Sequence, residues 1–175
     1  MKDIGKAIAY FDPNSSINNI SGTIEMVQET INSPTMFVID LEKFPKNSTH
    51  AMHIHEFGNL TEGCHSTGGH YNPHGEKHGS RYIHGVKRHV GDLINNIESD
   101  GHGKVKICFE DPLVKLSGKY SVIGRALVIH YSVDDLGVGG LDDKGYVVNE
   151  KEHRESIKTG NAGGRMSCAI IGINS

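Results

Sequence analysis

The sequence predicts an all-β fold: an eight-stranded Greek-key sandwich or flattened barrel with two long functional loops. Three observations predict it. Short runs alternate apolar and polar residues, clusters of Gly, Asn, Pro and Asp separate them, and no long segment carries helical periodicity. The first run covers residues 6–11 and stops at Asp12, Pro13 and Asn14. The second and third cover 21–29 and 35–42, on either side of Asn32, Ser33 and Pro34. The fourth, 50–57, follows Pro45 and Asn47, and the fifth, 91–98, ends before Asp100 and Gly101. The sixth, 104–110, shows the pattern most plainly. In KVKICFED, Val105, Ile107 and Phe109 alternate with Lys104, Lys106, Cys108 and Glu110, so one face is core and the other wet. Runs at 122–131 and 166–173 complete the set, and eight short strands imply a closed or double-layered sheet.

The chain has 175 residues, in the range of a single domain (1–175) and long enough to bury a substantial core. A net charge of −3 gives no sign of a nucleic-acid partner. The opening stretch MKDIGKAIAYFD contains no apolar run of signal-peptide length, and nothing approaches the ~20 apolar residues of a membrane helix. A cytoplasmic protein is therefore expected.

Two long connections interrupt the strands, Gly58 to Val90 and Asp134 to Arg165. Loops beyond about 12–15 residues inside a compact domain are usually functional or disordered. The first holds six of the twelve histidines and a cysteine. His53 and His55 stand two apart, so on a strand both rings aim at one point. His70, His78 and His89 follow in glycine-rich sequence. A single histidine is more often a solvated or core group than a ligand, but imidazole is the commonest metal ligand where several converge. The second connection carries a run of mixed charge at 141–157, read as a solvated loop.

The blocks HAMHIHEFGN, GCHSTGGHYNP, KHG, RHVGDL, GRALVIHYSVDDLG and GNAGGRMSC, taken in this order, resemble the copper/zinc superoxide dismutases. The resemblance runs from about Ala51 to the C-terminus. It implies one copper and one zinc ion per subunit, with His53, His55, His70 and His130 on copper and His70, His78, His89 and Asp92 on zinc. Imidazoles in an open arrangement suit Cu(II), and a closed set of three nitrogens and one carboxylate suits Zn(II). Asp134 matches a carboxylate that hydrogen-bonds His53 and His78 from behind, an arrangement that sets ring orientation and tautomer. His50 matches a structural histidine, and His65, His74, His84, His102 and His153 match no ligand.

The same resemblance implies the activity: disproportionation of superoxide to dioxygen and hydrogen peroxide by copper cycling between Cu(II) and Cu(I). Arg165 would attract and orient the anion, His70 would carry the proton, and Lys158 and Thr159 would steer substrate at the entrance. Cys64 and Cys168 match an intrasubunit disulfide, which leaves Cys108 as the free thiol. Phe57, Gly58, Ile123, Gly124, Gly172 and Ile173 match positions at which the family's cytosolic members pair as homodimers, and a copper chaperone is an implied loading partner. Relative to the usual pattern the interval from His78 to His89 is slightly longer and the charged loop is enlarged, insertions that cost little in loop closure. The alternative is a catalytically silent scaffold of the same fold that binds metal or a chaperone. It would show as a missing copper ligand or arginine, and neither is missing.

Overall fold

The computed structural model describes residues 5–15 and 17–175; the first four residues of the stretch read above for an export signal lie outside them. Along the chain run β1 (Gly5–Phe11), β2 (Ser21–Gln28), β3 (Thr35–Glu42), β4 (Thr49–His55), β5 (Thr61–Cys64), β6 (Asn96–Glu98), β7 (Val105–Asp111), β8 (Ala126–His130), the helix α1 (Glu150–Thr159) and β9 (Arg165–Asn174). Eight strands form one antiparallel sheet in the order β6-β4-β8-β9-β1-β2-β3-β7, curled into a nearly closed barrel. The crossover that puts β4 beside β8 instead of β3 is the Greek-key step.

Alternation builds the core. In β3, Phe37, Ile39 and Leu41 point inward while Val38, Asp40 and Glu42 face water. Phe37 stacks on Phe109 of β7 with ring centroids 4.8 Å apart. Met52 and Ile54 of β4 and Leu127 and Ile129 of β8 enter the same apolar cluster as Phe11, Ile24 and Met26 from the opposite side. The β7 reading holds, with Val105 buried and Lys106 and Cys108 exposed.

Every described residue of β8 is buried, on both faces. One face is core; the other, carrying Ala126 and Val128, is covered by Cys64 and Cys168 and by partly buried Ile17 and Leu60. The first long connection, through Leu60 and Cys64, therefore folds over the outer face of the sheet, and this places the site on the barrel wall.

Three expectations need correction. The run 91–98 is extended only at Asn96–Glu98. Before it, Val90–Asp92 form a single 3₁₀ turn and Leu93 and Asn95 take positive φ of 51° and 63°, which an extended strand cannot accommodate. The run 122–131 pairs only from Ala126, because Arg125 N donates to Val122 O in a turn with Gly124 at φ 81°. The charged loop contains a helix. Asn149 caps α1 by accepting from Glu152 N, and left-handed Gly160 ends it by donating to Ser156 O. Among the described residues, no helix is long and apolar enough to cross a membrane.

Candidate metal centre

Strand β4 sends His53 and His55 out through the same face of the sheet, opposite the face that carries Met52 and Ile54 into the core. His130 arrives from the end of β8, where the register with β9 shifts. His70 comes from the first long connection, pinned by a bridge to His55 and by Tyr71 N donating to Ile54 O at 2.8 Å. The four rings close on one another, with centroids 3.9 Å apart for His53 and His70, 5.0 Å for His53 and His130, and 5.2 Å for His55 and His70.

Each ring is held by one nitrogen and offers the other. His55 Nδ1 donates to Gly68 O at 2.9 Å, and His130 Nδ1 donates to Gly163 O at 3.2 Å. Carbonyls only accept, so in the neutral rings both Nε2 atoms carry lone pairs. Those two Nε2 atoms face each other at 3.2 Å. Two lone pairs so placed repel unless a cation sits between them. His53 Nε2 bonds Asp134 Oδ2 at 2.6 Å, and its Nδ1 is buried without a partner. Three imidazole lone pairs thus converge where a copper ion would be held.

The zinc group is built around Asp92, whose place in the 3₁₀ turn explains why this stretch is not a strand. Asp92 Oδ1 lies 3.1 Å from His70 Nδ1, 2.9 Å from His78 Nδ1 and 3.1 Å from His89 Nδ1. Asp92 Oδ2 accepts from Gly79 N and His89 N, both at 3.0 Å. In each of the two groups, one ligand atom per residue lies within 4.8 Å of all the others, and His70 belongs to both. Its Nδ1 faces the Asp92 group, which leaves Nε2 for the copper group. The donor sets, four imidazoles in one and three imidazoles with a carboxylate in the other, fit copper and zinc.

Asp134 joins the two groups from behind. Its Oδ2 accepts from His53 Nε2, and its Oδ1 accepts from His78 Nε2 at 3.0 Å. Gly160 allows this approach, since a Cβ there would stand 2.5 Å from both Asp134 Oδ1 and His78 Nε2.

Electrostatics follows the same division. Burial and then the neighbouring His70 hold His53 and His55 well below the ordinary imidazole range, and burial lowers His70 and takes His130 down to about 4. These rings are neutral and ready to ligate. His78 goes the other way: burial opposes its charge, but Asp134 and Asp92 outweigh it and raise it to about 9. Burial would raise Asp92 and Asp134, yet the imidazoles around each hold both well below the usual carboxylate range. A proton on His78 occupies the position of a cation between two carboxylates, as expected of a site built for a metal.

Arg165 opens β9 beside the copper group. Its Nη1 donates to Cys64 O, His65 O and Thr67 Oγ1, and its Nη2 donates to Gly68 O. Cys64 and Cys168 are disulfide-bonded across a separation of 104 residues, and Cys108 is a free, exposed thiol. An open cavity of about 730 Å³ leads to the copper group, lined by His55, His70, His130 and Arg165 at its base and by Lys158 and Thr159 from the end of α1. His50 donates from Nδ1 to His130 O and holds that ligand's backbone. His74 meets the Tyr120 ring edge to face, His84 accepts from Ser80 N and His153 donates to Gly139 O, so none of the three joins a ligand group.

Sequence reasoning missed the carbonyls of Gly68 and Gly163, which have no side-chain signature. It also missed Asn95, whose buried amide donates to Asp134. The one available signal was its place three residues after Asp92, in a turn that a strand reading conceals.

The sequence model described as Copper/zinc superoxide dismutase (SODC) matches residues 20–171. The superoxide dismutase [Cu-Zn] of Podospora anserina is 44% identical over 169 residues, covering 97% of this chain and 98% of that protein. That of Neurospora crassa has the same identity and coverage, and that of Paramecium bursaria Chlorella virus 1 is 43% identical over 153 residues, covering 87% of this chain and 73% of its own. With two adjoining donor sets, the disulfide and the barrel in place, the chain belongs to the copper/zinc superoxide dismutase family of oxidoreductases.

Proposed function

We propose that the protein disproportionates superoxide at the group formed by His53, His55, His70 and His130, with Arg165 as the capturing cation and His70 as the proton carrier. The observation that carries this reading is the sharing of His70 between the two donor sets. When bound, copper supplies the one-electron redox chemistry that turns two superoxide anions into dioxygen and hydrogen peroxide.

The chain's own residues do the rest. Arg165 uses Nη1 and Nη2 to hold the loop 64–68, so its charge is fixed in direction and needs no reorganisation to receive an anion. His70 Nδ1 is directed at Asp92, so its Nε2 is the atom placed to take a proton and release it to the product. Lys158 and Thr159 border the cavity mouth and narrow the approach. Asp134 keeps the proton of His53 on Nε2, which reserves Nδ1 for copper. A silent scaffold would be favoured by a gap in this set, and the set is complete.

The proposal extends to assembly and location. Gly58 packs directly on Gly124, whose N donates to Ile171 O, so the segments Phe57–Gly58 and Ile123–Gly124 and the end of β9 form one patch. Phe57 is 51% and Ile173 80% exposed, which supports a symmetric dimer through this face. Copper loading by a chaperone and a cytoplasmic site of action rest on the family resemblance. The decisive experiment is metal analysis paired with a superoxide-removal assay. One copper and one zinc per chain with removal far above that of free copper supports the reading; full loading without activity overturns it.

A further inference from the structure

Asn95 is fully buried, holds a left-handed backbone at φ 63°, and bonds in four directions, each toward the metal groups. Its N donates to the carbonyl of zinc-group Asp92, and its O accepts from Met52 N, the residue before His53. Its side-chain Nδ2 donates to Gly79 O at 3.0 Å, just after zinc-group His78, and to Asp134 Oδ2 at 3.1 Å. Asp134 Oδ2 is the oxygen that orients His53.

We propose that Asn95 is a positioning residue that couples the two metal sites by fixing the Asp134 carboxylate against the zinc loop. The rest follows from donor counting. A carboxylate bonded only by two imidazoles can rotate about its Cβ–Cγ axis and exchange oxygens between them. Leu136 N on Oδ1 and Asn95 Nδ2 on Oδ2 give each oxygen a second donor and remove that freedom. Both hydrogens of the amide are used, one on Asp134 and one on Gly79 O, so a turn of the carboxylate on the copper side is tied to the segment that carries His78. The amide is also neutral. It adds a donor to Asp134 without adding a cation that would compete with the metals.

The inference rests on the metal assignment above and is tested separately from it. Asn95→Gly removes the side chain and keeps the backbone, since glycine takes positive φ without steric cost. Zinc affinity, by competition with a chromophoric chelator, should fall by up to about 10-fold, the low end of the roughly 10–100-fold cost of losing an outer hydrogen bond directly on a ligand, because Asn95 acts one step further out, through Asp134 and the Gly79 carbonyl. Two spectra should move with it: the visible bands of Co(II) placed in the zinc site, and the electron paramagnetic resonance of Cu(II), because His53 is no longer held. Both are recorded on as-purified and on refilled protein, so that poor refolding cannot hide the result. Asn95→Ala, which adds backbone strain, should show the same spectra with lower thermal stability.

A glycine variant whose zinc affinity stays within about twofold of wild type with both spectra unchanged overturns the proposal, whatever its stability. Wild-type protein that fails to take up both metals overturns the metal assignment instead.

Discussion

Arg165 Nη1 donates to Cys64 O at 2.6 Å, and Cys64 is bonded through sulfur to Cys168, three residues beyond Arg165 in β9. The disulfide thus closes a small ring of contacts around the guanidinium. Sequence separation makes the bridge valuable for stability, and position makes it valuable for the site.

Removing the bridge should therefore have two separable effects. With a sequence separation of 104 between the partners, the chain-entropy model gives about 4–5 kcal/mol of stabilisation. Cys64→Ser with Cys168→Ser should lower the melting temperature markedly and, in protein still folded, reduce the superoxide rate as Arg165 loses its anchor. Peptide mapping of native protein should find Cys108 alone modified by a thiol reagent. Cys108 paired with either partner would contradict the assignment, and an unchanged rate in the folded double variant would detach the bridge from Arg165.

The two metals should be separable by single substitutions. His55 belongs only to the copper group and Asp92 only to the zinc group. His55→Ala should cost more than about 100-fold in activity, beyond the effect of an outer hydrogen bond, with zinc retained. Asp92→Ala should lose zinc and loosen the loop, because Gly79 N and His89 N lose their shared acceptor. Metal content by mass spectrometry decides: equal loss of both metals from either variant would falsify the division.

The ligand set was legible because imidazoles and carboxylates are the chemistry themselves, and the period of two in β4 alone aligns His53 with His55. The barrel was legible for a similar reason, since alternation in β3 and β7 survives in full. What stayed hidden has either no apolar signature or a misleading one. Helix α1 buries only Ser156 fully, so no stripe at 3.6 residues marks it; its signals are the caps Asn149 and Gly160 and the early Glu150 and Glu152. The stretch after Asp92 is apolar enough to imitate a strand, yet Leu93 and Asn95 turn left-handed so that Asp92 can meet three imidazoles.

Acid should unfold the metal-free protein readily. Four rings, His53, His55, His70 and His130, are lowered in the folded state, so between about pH 6.5 and 4 the unfolded chain binds protons that the folded chain refuses. Stability then falls with falling pH, by about 1.4 kcal/mol per unit for each proton that the unfolded chain binds and the folded chain does not. His78 has the opposite sign: raised to about 9, it contributes stability that is complete below 6.5 and is lost as pH rises through 9. Asp92 and Asp134, both lowered, contribute above the carboxylate range and lose that contribution as pH falls through their folded values. Calorimetry of metal-free protein should place maximal stability near neutrality with a steep acid limb, while metallated protein resists acid until the metals leave. A melting temperature unchanged between pH 7 and 4.5 in the metal-free protein would show that these rings are not buried neutral.

Substrate capture gives the last test. The chain carries a net charge of −3, which repels superoxide on average. The cavity is different: it is lined by four cations, Lys77, Arg154, Lys158 and Arg165, and two carboxylates, Glu76 and Glu155, so 4 − 2 leaves +2 at the entrance. Arg154 and Lys158 stand one turn apart on α1. A positive cleft on a negative protein can raise capture by roughly 10–1000-fold, an effect screened by salt over a Debye length of about 10 Å at 0.1 M. The bimolecular rate should therefore fall as ionic strength rises. Arg165→Glu should cost most, within that 10–1000-fold range, because it reverses charge at the base of the cavity; Lys158→Glu and Arg154→Glu should cost a few-fold each and flatten the salt dependence, since both sit on its wall. Pulse radiolysis across a salt series reads both quantities. Near-native rate and slope in Arg165→Glu would remove Arg165 from capture and leave the α1 cations to account for it.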